Sequence, residues 1–154
     1  MTSFRIRGLP AGDFTGLFQL SDAELEARQA RRVIAENGGY PCRISLTDAT
    51  PGDAVILVHY EHHRVSPPYR SSFAVYVREH EEHFDAIGEV PAQLRKRTLA
   101  LRGYDAAGML RNAEIVEGRE LEAGIASTFA DSQIAYIHAH FAKPGCYAAL
   151  IERH

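Results

Sequence analysis

The residues able to do chemistry in this chain are histidines, two cysteines and one arginine-bearing loop. His138 and His140 stand two apart in a segment that reads as a strand, so both project from one face, joined by Tyr136. His59, Glu61 and His63 share a face in the same way, provided their strand extends that far. Neutral imidazole is the commonest transition-metal ligand, so either set could serve one divalent ion. A half-buried polar face that needs hydrogen-bonding groups produces the same spacing, and no metal or cofactor is assigned on it. His80-Glu81-Glu82-His83 falls in a polar stretch and reads as solvated surface.

Cysteine is the second candidate. Cys42 lies beside Arg43, a cation of the kind that favours the reactive thiolate, and Cys146 follows the Pro144-Gly145 turn. His138, reached across the final hairpin, is the candidate base for a nucleophile at Cys146. A Cys42–Cys146 disulfide or two inert core thiols are the alternatives. The third candidate is Ser66-Pro67-Pro68-Tyr69-Arg70, which its two prolines keep extended and stiff. Arg70 suits bidentate capture of a carboxylate or phosphate, with Tyr69 stacking or donating a hydrogen bond. In the bland reading, Tyr69 packs on the sheet and Arg70 pairs with a nearby acid.

The elements that must position these residues follow from periodicity. Phe4 and Ile6 alternate with Arg5 and Arg7 as a first strand. Ser21-Asp22-Ala23-Glu24 is a capping box, and the spacing predicts a helix from there to Asn37-Gly38-Gly39. Strands are expected over residues 42–47, 54–61 and 72–79, the second apolar on both faces and so central. Residues 80–97 are polar, with one helical turn after Pro91. Thr98 to Tyr104 and Met109 to Glu117 pair as a hairpin. A second helix over 119–130 carries Leu121, Ile125 and Phe129 on one face, and strands over 134–141 and 147–152 close the chain. Strands mostly in succession, with two helices, predict one α+β domain over residues 1–154 with a mainly antiparallel sheet.

Composition limits the function classes. The 154 residues carry 17 basic and 20 acidic side chains, a net charge of −3 that gives nucleic-acid phosphates no footprint. There is no tryptophan, and no basic stripe with interleaved aromatics, so RNA binding is not expected either. The N-terminus lacks an apolar run of signal-peptide length, and nothing approaches the ~20 apolar residues of a membrane span. The expected compartment is the cytoplasm. GxGxxG, Walker-type, HExxH, GxSxG and CxxC motifs are all absent.

Several blocks together resemble a known family. They are Tyr40-Pro41-Cys42-Arg43 with Leu46-Thr47-Asp48-Ala49, then Ser66-Pro67-Pro68-Tyr69-Arg70 leading to Val77-Arg78-Glu79, then Ile137-His138-Ala139-His140 and Lys143-Pro144-Gly145-Cys146-Tyr147. The chain resembles the bacterial domain of unknown function 1203 over nearly its whole length. It departs from the family pattern at Pro68, an extra proline, and at Ser71-Ser72-Phe73, which replaces a Gly-Pro pair. The resemblance implies a bacterial cytoplasmic protein and no particular activity. It singles out Cys42, Arg43, Tyr69, Arg70, His138 and Cys146.

The reading that follows is a pocket for a small anionic ligand at one end of the sheet. Arg43 and Arg70 hold the anion, Tyr69 and His59 line the site, His138 acts as acid or base, and Cys146 is the candidate nucleophile. The rival reading is a non-catalytic homodimer whose unusual residues are structural.

Overall fold

Apolar and polar side chains alternate along Phe4–Arg7 and Tyr136–Phe141, other strands are apolar over much of their length, and together they build two sheets. The computed structural model describes residues 3–154. The chain runs through β1 (Phe4–Arg7), α1 (Asp22–Ala27), β2 (Ala30–Ile34), β3 (Ala54–His63), β4 (Ser71–Val77) and β5 (Asp85–Ile87). It continues through α2 (Ala92–Arg95), β6 (Thr98–Tyr104), β7 (Leu110–Glu117), α3 (Leu121–Phe129), β8 (Tyr136–Phe141) and β9 (Tyr147–Arg153). Six strands form one sheet in the order β5-β1-β9-β8-β6-β7, and β2-β3-β4 form a second. Every strand pair is antiparallel, and the fold is α+β as expected. No helix among the described residues is long and apolar enough to cross a membrane.

The large sheet is packed on both faces. Leu99, Leu101, Ile137, Ala139 and Phe141 meet Leu94, Leu121, Ile125 and Phe129 of the helices on one side. On the other, Tyr147 joins a core with Ile56, Val58, Val75 and Val77 of the small sheet. Side chains at 136, 138 and 140 therefore point between the sheets, while 137, 139 and 141 point toward the helices. β3 is the middle strand of its sheet, as its two-faced apolar pattern predicts.

Two expectations fail. The capping box at Ser21 is present, with Ser21 N donating to Glu24 Oε1 at 3.0 Å and Glu24 N to Ser21 Oγ at 3.2 Å. The helix nevertheless stops at Ala27, Gln29 adopts φ 55°, and Ala30–Ile34 turns into a strand. The β-branched Val33 and Ile34 pair with Val55 and Ala54, a better use than the thin stripe they would give a helix. Residues 42–47 are not a strand either. Cys42 N donates to Thr47 O at 3.0 Å and Leu46 sits at φ 54°, so the segment closes into a loop. Isolated bridges, Pro41 to Asp48 and Cys42 to Tyr76, stand in place of a strand ladder.

That loop is clamped by the chain after β1. Leu9 N donates to Arg43 O at 2.8 Å, and a Cβ at Gly8 would lie 2.1 Å from Ile44 O. The obstacle is backbone and cannot rotate away. Gly8→Ala is expected to destabilise the protein by at least ~1–3 kcal/mol, the usual range for overpacking. Urea unfolding checks this; an unchanged midpoint would show that the loop carrying Arg43 is not held by this approach.

Candidate functional site

Arg43 is 1% exposed, the largest side chain buried to that degree. Its Nε donates to Tyr147 O at 2.8 Å, Nη2 to Cys146 Sγ at 3.0 Å, and Nη1 to Pro41 O. Among the described residues no carboxylate forms a salt bridge with it. Burial pulls its proton affinity below the usual value, yet a guanidinium stays charged in a protein. The charge therefore sits in the interior against two backbone carbonyls and a cysteine sulfur.

This guanidinium forms part of the wall of a cleft of about 580 Å³. Leu57, Ala74 and Tyr76 come from the outer face of the small sheet, Phe141 from the end of β8, and Lys143 and Cys146 from the turn before β9. Lys96 and Arg97 complete the cationic side. Arg43 and Arg97 both lie over the Phe141 ring, at 5.0 and 5.3 Å from its centroid. Asp48 offsets part of the charge, bonding Lys96 at 2.6 Å and Arg97 at 3.1 Å. Lys143 has no carboxylate partner among the described residues.

A second cluster fills the space between the sheets. β3 carries a bulge between Glu61 and His63, so His62 and His63 both turn inward. There they meet His138 and His140 on β8: His62 lies 6.1 and 5.3 Å from these two rings, and His63 lies 4.8 Å from His138. Tyr147 stacks on His62 at 5.0 Å. His63 is fully satisfied, donating from Nδ1 to Tyr69 O at 2.9 Å and accepting at Nε2 from Tyr136 Oη at 2.6 Å. The other three are not. His62 Nδ1, His138 Nδ1 and His140 Nε2 are buried without a hydrogen-bond partner.

The six residues singled out from sequence are divided among several places. Arg43 and Cys146 meet in the cleft. His138 points between the sheets while Cys146 packs in the helix-side core, so alternation along the hairpin puts the expected base and nucleophile on opposite faces. Arg70 does not join Arg43: it is 65% exposed and pairs with Glu61 at 2.8 Å, the bland alternative. Tyr69 lies at the rim of the histidine cluster, 6.3 Å from Tyr104. His59 faces outward and bonds Ser72 Oγ at 3.0 Å, because the bulge separates it from His63. Both cysteines are free, and burial pushes the Cys42 thiol up to about 12, so it stays protonated. Glu81 is buried rather than solvated, binding Arg78 N at 2.7 Å.

Sequence reasoning missed Arg97, Lys143 and His62. Arg97 sits in a stretch without pattern, Lys143 was read only as part of a turn, and His62 continues the Ile56, Val58 and Tyr60 face while the histidine face was sought at 59, 61 and 63.

Residues 39–153 match the family described as Protein of unknown function (DUF1203). The chain belongs to that family. No curated protein and no solved structure matches it. The matched DUF1203 region contains the cleft residues named above and all four clustered histidines.

Burial holds His62 near 4 and His140 near 3, and puts His138 well below its ordinary value. The neighbouring histidines and Arg102 push His138 and His62 the same way. The unfolded chain, with histidines titrating near 6.5, binds more protons than the folded one below that pH. Stability of the chelator-treated DUF1203 protein should be full above about pH 6.5 and fall as pH drops toward 4. His140→Gln should reduce the proton uptake on unfolding, read from the slope of stability against pH, by about one. A slope untouched by that substitution would contradict a neutral buried His140.

Proposed function

We propose that the protein binds a small anionic molecule in the cleft beside Arg43. The negative group lies against Arg43, Arg97 and Lys143, and an apolar portion lies against Phe73, Tyr76 and Phe141. The observation that carries this reading is the buried Arg43 charge, which has no carboxylate partner yet forms part of a cleft wall. An interior charge left without a counter-charge is costly, and a bound anion offsets that cost. The cleft volume falls in the range of small-molecule sites, and its mix of apolar and few polar groups is typical of them.

Cys146 supplies a thiol at the cleft wall, next to where the anion binds. His138 takes no part in this reading, because it faces the other side of the sheet. The two free cysteines accord with a reducing compartment, which supports a cytoplasmic location. Self-association is supported less well. Arg111, Glu114 and Glu117 on the edge strand β7 form the kind of charged edge that discourages strand-to-strand pairing.

Amide NMR titration with benzoate and with inorganic phosphate tests the reading. Saturable shifts are expected at Arg97, Lys143 and Cys146, with benzoate also moving Phe73. Arg97→Ala and Lys143→Ala should each weaken binding by about tenfold, the loss of one charge-assisted contact. Arg70→Ala should leave affinity unchanged. No saturable shift in the cleft, or binding that depends on Arg70, would overturn the proposal.

A further inference from the structure

We propose that His62, His138 and His140 form a binding site for one divalent transition-metal ion, with zinc the first candidate. The site is separate from the cleft and does not depend on an anion binding there. The three rings each present a nitrogen, and these atoms lie within 4.8 Å of one another. Ligands of a tetrahedral ion with metal–nitrogen distances near 2.1 Å stand about 3.4 Å apart, so modest ring movements close the site.

The hydrogen bonds separate these three from an ordinary core cluster. A histidine kept only for packing normally has its ring nitrogens bonded, because an unpaired buried polar atom costs roughly 1–3 kcal/mol. His63, in the same cluster, behaves that way at both nitrogens. Each of the other three keeps a buried nitrogen bare. His140 shows the arrangement metal ligands commonly have: Nδ1–H donates to Gly145 O at 2.9 Å, which fixes the ring and leaves the Nε2 lone pair free. His138 is almost wholly buried, with Nδ1 unpartnered. His62, only partly buried, is the ligand nearest solvent and marks the entry path.

Three histidines leave a coordination position open, the pattern of a catalytic rather than a structural zinc site. Arg102 and Arg43 lie within electrostatic reach of the rings. Their charge opposes a bare cation and favours one that carries an anionic fourth ligand such as hydroxide.

The test is zinc titration by calorimetry on untagged, chelator-treated full-length protein, with a parallel cobalt titration followed in the visible spectrum. One zinc per chain is expected, with a raised Tm and the intense absorption of low-coordinate cobalt. His62→Gln, at the most exposed of the three positions, should fold normally and weaken zinc binding at least about tenfold. His140→Ala should abolish it; if that variant does not fold, His62→Gln decides alone. His80→Ala combined with His83→Ala should change nothing. Absence of one-to-one binding, binding unaffected by His62→Gln, or binding lost with His80 and His83 would each overturn the proposal.

Discussion

The buried guanidinium of Arg43 is the interaction on which the arrangement of both sites depends. Its backbone N–H donates to Tyr76 O at 3.0 Å, which ties the 42–47 loop to β4. Its side chain then crosses to Tyr147 O and Cys146 Sγ at the start of β9. One residue thus links the small sheet to the large one through charge-assisted hydrogen bonds, stronger than neutral ones and directional. Its partners among the described residues are backbone carbonyls and a cysteine sulfur, so those bonds satisfy donors without bringing a carboxylate to the charge.

The turn from Ala142 to Tyr147 is shared by the cleft and the histidine cluster. Lys143 and Cys146 face the cleft, while Gly145 O holds the His140 ring and the Tyr147 ring stacks on His62. Gly145 adopts φ 83°, which a side chain would resist, and its N–H donates to Phe141 O at 2.8 Å. A tight turn fixed in this way places Tyr147 on one face and Cys146 on the other. The two candidate sites lie back to back, so the proposed anion and the proposed metal would occupy opposite sides of the β8–β9 hairpin.

Much of this fold was legible in the sequence, because strands packed on known faces obey simple alternation. Tyr136, His138 and His140 share a face as their spacing requires, and the hairpin of β6 and β7 falls where Asp105-Ala106-Ala107-Gly108 predicts it. Cys146 and Arg43 were legible as residues of interest, although their contact joins positions 103 residues apart. What failed was governed by single backbone events that leave little trace. Gln29 at φ 55° ended the first helix despite an intact capping box, and the bulge at Glu61/His63 exchanged the expected His59–Glu61–His63 face for His62 and His63. Arg70 illustrates the opposite error. A stiff loop with a well-placed cation reads as a binding element, yet Glu61, nine residues earlier, neutralises it locally.

The most direct test of the Arg43 account is the Nε–H resonance of that arginine in ¹⁵N NMR, assigned by its loss in Arg43→Lys. A buried Nε–H bonded to the Tyr147 carbonyl should exchange slowly with solvent, and it should shift saturably when benzoate is added. Rapid exchange would show that the guanidinium is neither buried nor bonded. Slow exchange with no shift while the anion binds elsewhere would show that its charge does not serve the cleft.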